Sequence, residues 1–146
     1  MKVKTLNMGI VEVSEKQIID FPEGLFGFED SRKYALIEAE QKPFVWMQSI
    51  ENEHISFLLI NPFLIRADYE LDIDEKDQKL IDLDNPGNAL IFAIVTFLGD
   101  GSPITANLQG PVVINTRNNL AVQAVLSDPR WLTKHDIMAE LKQGSE

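Results

Sequence analysis

The feature that most limits the fold is the spacing of turn residues. Short apolar runs recur along the whole chain, and Pro, Gly, Asn and Asp interrupt them every few positions. Neighbouring parallel strands need crossover connections of about a dozen residues or more, usually helical, and the connections here are too short. The runs must therefore pair mainly antiparallel. Roughly ten such runs with one or two helices predict an all-β fold, an antiparallel β pseudo-barrel with one short internal helix and a C-terminal helix.

Strands are expected at residues 8–13, 17–21, 34–38, 44–50, 56–60, 89–98, 104–109, 112–115 and 120–126. The run 89–98 is the most apolar and reads as the central strand. Residues 66–73 alternate, with Ala67, Tyr69, Leu71 and Ile73 against Asp68, Glu70 and Asp72, which predicts a half-buried strand with an acidic outer face. Asp74 can cap a short helix whose first turn holds Glu75 and Asp77, with Asn85-Pro86-Gly87 ending it. Gly110-Pro111 reads as a bulge or bend, and residues 116–119 as a hairpin loop. Asp128-Pro129 opens a second expected helix, along which Trp131, Leu132, His135, Ile137, Met138 and Leu141 recur at near-helical spacing, followed by a frayed tail at residues 143–146. The expected organisation is a β-barrel domain over residues 1–127 and a helical tail, 128–146, packed on it or extending from it.

A chain of 146 residues is long enough to bury a core without staples, and this one has no cysteine. That excludes disulfides, zinc–thiolate sites and thiol catalysis, and it fits a reducing compartment. No apolar run follows the lysines of Met1-Lys2-Val3-Lys4, so no signal peptide is expected, and the apolar run 89–98 is too short to span a bilayer as a helix. The net charge of −10 repels phosphate backbones and favours a basic protein partner.

A search for catalytic chemistry finds little. His54 and His135 stand near no Gly-x-Ser-x-Gly or His-x-x-x-His arrangement and read as surface or loop histidines. The carboxylates from Asp68 to Asp77 fail as a calcium loop, because Lys76 takes a ligand position and the turn glycine is absent. There is no Gly-rich phosphate loop with its lysine, and no basic stripe interleaved with aromatics. No cofactor or metal is expected, and a binding module is favoured over an enzyme.

Four ordered segments carry a resemblance. Ile19-Asp20-Phe21-Pro22-Glu23-Gly24-Leu25-Phe26-Gly27-Phe28-Glu29 resembles the N-terminal signature of the FliW family of flagellar assembly factors. Pro43-Phe44-Val45-Trp46-Met47-Gln48-Ser49 is similar to its second block, and Asn61-Pro62 with the run to Asp68-Tyr69 to its third. The most specific is Thr105-Ala106-Asn107-Leu108-Gln109-Gly110-Pro111-Val112-Val113-Ile114-Asn115, continued by Gln123. Phe26 replaces a common Pro and Gly110 a common Ala; residues 128–146 fall outside the blocks.

The resemblance implies a β pseudo-barrel in the bacterial cytoplasm with two protein partners. One is flagellin, bound near its C-terminal helical region before export. The other is CsrA, an RNA-binding translational repressor that free FliW binds and antagonises, relieving repression of flagellin translation. Residues 68–84 hold eight acids and two lysines, more than half of the net negative charge. Asp68, Glu70, Asp72, Asp74, Glu75 and Asp77 are therefore the expected CsrA contacts. Phe26 and Phe28, flanking Gly27, and Phe63 and Ile65, after Pro62, are the expected flagellin contacts, because an amphipathic segment needs apolar surface. Asn107, polar inside an apolar run, is expected to pair with backbone at a bend. The competing readings are a small β-barrel enzyme using paired carboxylates such as Asp20 and Glu23, and a generic adaptor domain.

Overall fold

The computed structural model describes residues 1–144, with side chains as far as Leu141. Ten strands and two short helices make the fold: β1 (Lys2–Lys4), β2 (Ile10–Glu12), β3 (Ile18–Asp20), β4 (Lys33–Glu38), β5 (Val45–Ser49), β6 (Ser56–Ile60), α1 (Glu75–Leu80), β7 (Ala89–Thr96), β8 (Thr105–Asn115), β9 (Leu120–Gln123), β10 (His135–Asp136) and α2 (Ile137–Gly144). Strands β3 to β8 form an antiparallel meander, and β9 pairs with both β8 and β3, which closes a seven-stranded barrel. The expected pseudo-barrel is therefore present, with one difference. The closing contact between β3 and β9 is parallel and rests on a single register pair, Asp20 with Leu120.

Side chains alternate across each strand, so each strand feeds two layers. The barrel interior holds Ile19, Phe21, Leu25, Tyr34, Met47, Leu59, Phe92, Val112, Ile114 and Ala121. The outer faces are also buried, in three separate clusters. The β1–β2 hairpin covers Ala35 and Ile37 of β4 with Val3 and Val13. Ile81 and Leu83, just after α1, cover Val113 and Val122. Ile65, Tyr69, Trp131 and Ile137 cover Ile60, Ala93, Val95, Ala106 and Leu108. Each large side chain so buried is worth about 1.5–3 kcal/mol against its exposed state.

Strand β8 joins the parts. Its first half pairs with β10 and the end of β7, and its second half with the start of β7 and with β9. The register jumps between these halves: Phe92 faces Val112, but Ile94 faces Asn107. The extra residues of β8 bulge out at Gly110-Pro111, as expected, and this is one continuous strand rather than the two expected at 104–109 and 112–115. Asn107 Oδ1 accepts the Gln109 N–H at 3.1 Å and the Gly110 N–H at 2.8 Å, so its role is the backbone pairing anticipated for it. Gln123 Nε2 donates to the Gly110 carbonyl at 3.0 Å. The other polar blocks also fasten backbone. Buried Gln48 accepts from Leu6 N–H and donates to carbonyls of Ser49, Glu53 and Ile55, and Asn61 caps a 3-10 turn, Pro62–Leu64. Gly24 has a φ of +72°, and a Cβ there would lie 2.5 Å from the Glu29 Cα, so glycine is required at that turn.

Three expected elements are corrected. Residues 66–73 belong to no ladder: residues 66–69 make a turn closed by the Tyr69 N–H on the Arg66 carbonyl, which leaves Ala67 exposed, and only from Asp68 to Ile73 does the strap over the barrel alternate between exposed and covered side chains. The period records a surface with one covered face, which packing alone satisfies without a paired neighbour. The second helix starts at Ile137 instead of Asp128, because Trp131 is drawn into the outer core and His135 into pairing with Ala106. Helix α2 takes in Gln143 and Gly144 of the expected tail, and Ser145 and Glu146 lie outside the described residues. His135, expected at the surface, is buried: its Nε2 accepts the Leu132 N–H at 2.8 Å, so Nδ1 carries the proton and donates to Glu140 at 2.9 Å. Trp131 and Ile137 share a core cluster with barrel residues, so this part of the segment after residue 127 packs on the barrel.

Replacing Asn107 by Ala leaves the buried Gly110 N–H without its acceptor. We expect a loss of about 1–3 kcal/mol in urea denaturation, and a loss below about 0.5 kcal/mol would mean that the bulge stands without the side chain.

Candidate functional site

The acidic strap is tied down by its apolar and backbone groups, which leaves its carboxylates outward. Tyr69 is buried, its hydroxyl donates to the Leu108 carbonyl at 2.6 Å, and burial pushes its phenol pKa up. Trp131 Nε1–H donates to the Glu70 carbonyl at 3.1 Å, and its ring packs edge-on against Tyr69 at 4.8 Å. Arg66 and Arg130 lie over the same indole, with guanidinium carbons 5.1 and 4.8 Å from the ring centroid. Further along, Asn115 Nδ2 donates to the carbonyls of Ile81 and Asp82, and Asn118 Nδ2 to that of Ile81. Two side chains of one hairpin thus satisfy the C-terminal end of α1 and hold the helix on the barrel.

The six expected carboxylates are not equivalent. Asp68 is gripped by Arg66 through bonds of 2.8 and 2.6 Å, which hold its carboxyl below the usual range. Glu70 meets Arg130 at 3.3 Å, and Glu75 meets Lys79 at 3.3 Å. Asp74 caps α1 as expected, accepting the Lys76 N–H at 3.1 Å. Asp72 has no cationic partner among the described residues. Asp77 is half-buried, and burial first, then Asp74, push its carboxyl pKa up; Lys76 pulls it down less, and Glu23 adds the smallest upward push. Glu23 comes from the first sequence block, so the fold sets a loop acid beside the strap. Asp20 is in register with Lys33 on β4, while the charge of Glu23 bears on Asp77. Among the described residues no three of His, Asp and Glu are grouped to hold a metal ion, and no helix is long and apolar enough to cross a membrane.

The aromatic loops are not one patch. Phe26 stands 61% exposed at the tip of its turn, its N–H facing Gln123 Oε1 at 3.4 Å. Phe28, partly exposed, packs edge-on against Phe57 at 5.2 Å, beside the barrel interior. Phe63, also partly exposed, packs on Tyr69 at 5.6 Å, in the outer cluster with Trp131. Ile65 is only 4% exposed and belongs to that cluster's core, which removes it from the expected flagellin contacts. The 3-10 turn before it rotates its side chain inward while leaving Phe63 and Leu64 outside. Exposed apolar residues that the sequence did not mark include Phe97, Leu98, Val125, Leu132 and Met138. Each sits in or beside an apolar run, and nothing in such a run tells an outward side chain from a buried one.

The fold is thus a small closed barrel with buried polar fasteners, an acidic strap and aromatic loop tips. The FliW protein family model matches residues 2–137, and the chain belongs to the FliW family. It is 52% identical over 141 residues to the flagellar assembly factor FliW of Treponema denticola, covering 97% of this chain and 96% of that one. Against the protein of the same name from Treponema pallidum it is 46% identical over 143 residues, covering 98% and 95%. The fold matches a crystal structure of the flagellar assembly factor FliW with a TM-score of 0.85 at 31% identity, covering 94% of this chain and 96% of that one.

Because the Asp77 carboxyl has a higher pKa folded than unfolded, the native state binds its proton more tightly. The ionised form costs stability at neutral pH, and the cost vanishes as pH falls through the raised pKa. Asp77→Asn should therefore raise the Tm at pH 7, with a gain that shrinks to nothing near pH 3. Calorimetry across that range checks the sign.

Proposed function

We propose that this chain is a flagellar assembly factor of the cytoplasm, which binds flagellin near its C-terminal helical region and, when free of it, binds CsrA and relieves repression of flagellin translation. The observation that carries the reading is the uneven neutralisation of the acidic strap. Asp72, Asp74 and Asp77 have no salt-bridge partner among the described residues, Lys76 offsets them only in part, and Asp82 and Asp84 follow in the chain. An RNA-binding repressor must present positive surface. Acids so arranged speed its approach and repel RNA from the complex. Asp68 and Glu70 contribute less, since each already faces an arginine.

For flagellin, Phe26 is the strongest apolar anchor, with Phe28 behind it. Phe63 offers a second apolar point on the outer cluster. An amphipathic segment of flagellin would lay its apolar side on such residues and keep its polar side in water.

Reversal of two exposed acids, Asp72→Lys with Asp84→Lys, tests the CsrA arm. We expect at least about a tenfold loss of CsrA affinity and a shallower salt dependence, from calorimetric titration at two ionic strengths. Unchanged affinity in the folded variant would sink this arm. For the flagellin arm, Phe26→Ala should weaken flagellin binding at nearly constant Tm. Ile65→Ala should instead cost about 2–5 kcal/mol of stability; a Phe26→Ala variant that behaves the same way would identify that loop as core.

A further inference from the structure

The barrel closure leaves one sheet edge open. Beyond β9 the chain continues along β8: the Ala124 N–H donates to the Pro111 carbonyl at 2.9 Å and the Leu126 N–H to the Gln109 carbonyl at 2.8 Å. Backbone groups alternate in direction along an extended chain, so the N–H and C=O groups of Gln123 and Val125 face the other way. On that side β3 has already ended. Its pairing with β9 stops at Asp20 and Leu120, the Phe21 N–H turns to the Arg32 carbonyl, and Pro22 has no N–H to offer. Among the described residues the backbone N–H and C=O of Gln123 and Val125 have no hydrogen-bond partner. Natural edges are usually blunted by Lys, Pro or a covering element. Here the outermost side chain is Val125, 62% exposed, and Phe26 stands near it through the Gln123 carboxamide.

The surroundings of this edge are acidic on both sides. On one side, the loop whose Phe26 N–H meets the Gln123 carboxamide also carries Glu23, whose charge bears on Asp77 of α1. On the other, Glu70, Asp72 and Asp128 line a cleft that begins at Leu126. Glu70 and Asp128 share Arg130, and Asp72 has no cation of its own among the described residues.

We propose that Gln123 and Val125 form a strand-addition site, which takes an extended segment of a partner protein that carries alternating apolar and basic residues. The segment adds as a strand to the open edge through main-chain hydrogen bonds. Its apolar side chains rest on Val125 and Phe26, and its Lys or Arg side chains face Asp72 and the Glu23–Asp77 pair. Charge complementarity selects the basic partner; the open edge dictates its extended form. The site rests on the reading of the acidic strap as a docking face for a basic protein, and it adds the mode of docking.

The test uses three synthetic peptides with the full-length protein: an alternating Lys-Val hexapeptide, its Glu-Val counterpart, and the Lys-Val peptide N-methylated at alternate residues. Amide hydrogen exchange of Gln123 and Val125 is followed by NMR. The Lys-Val peptide should slow exchange at both amides at least about tenfold, while the other two leave it unchanged. Protection confined to other residues, equal protection by the Glu-Val peptide, or undiminished binding of the N-methylated peptide would each overturn the proposal. Val125→Pro, checked by its Tm, removes the N–H at 125 and should abolish the protection of the Gln123 amide; the N-methylated peptide makes the same test without touching the protein. If Asp72→Lys with Asp84→Lys weakens CsrA binding yet the Lys-Val peptide protects neither amide, the strand-addition site is wrong and the acidic docking face stands. If the amides are protected while CsrA affinity ignores the charge reversal, the site stands and the CsrA reading falls.

Discussion

Between residues 107 and 112 strand β8 steps out of its ladder with β7, and the Asn107 carboxamide takes the Gly110 N–H and shares that of Gln109. Much of the remaining architecture depends on this step. It lets a single strand serve β10 and the late part of β7 in its first half, then β9 and the early part of β7 in its second. The displaced backbone also gives the chain after β9 and the chain before β10 something to bond: Leu126 reaches the Gln109 carbonyl, while Leu108 and Gln109 donate to the Leu132 carbonyl. Without the step, Trp131 would have no route into the outer cluster that anchors the strap.

The polar residues of the family blocks act mainly as fasteners of backbone. Gln48 organises the turn after β5 while holding the β1–β2 hairpin through Leu6, and Ser49 accepts the N–H groups of Glu51 and Asn52. Asn115 holds α1. A buried amide or hydroxyl is tolerated only when its bonds are made, so each of these positions accepts few substitutes. The features proposed above as docking surfaces sit on what the fasteners position: a strap tied by Tyr69 and Trp131, a loop tip carried by Gly24 and Leu25, and an edge left where β3 stops short.

Charge is distributed by the same scaffold. Arg66 and Arg130 each lie over the Trp131 indole and each hold an acid of the strap. They neutralise one end of the acidic segment and leave the end around Asp72 and Asp77 open. Burial and neighbouring carboxylates raise the pKa of Asp77, the opposite of what a structural ion pair would do.

Turn spacing and the absence of cysteine were enough to decide an all-β domain closed by packing alone, because short connections forbid crossovers and a chain of this length can bury its own core. The alternation also reported correctly that Tyr69, Leu71 and Ile73 face in, since burial on one face imposes period two whether or not a neighbouring strand exists, but it failed at Ala67, which a turn leaves exposed. Sequence could not report that no neighbour exists there. Nor could it place Trp131 and His135, whose helical spacing lost to the pull of an outer core built from residues distant in the chain. Ile65 and Phe63 look alike in a list of apolar loop residues, and a single 3-10 turn separates core from surface. The pairing of Glu23 with Asp77 and the open edge at Gln123 and Val125 arise only when the barrel closes, because each depends on where β3 ends relative to β9, a long-range distance that no local pattern encodes.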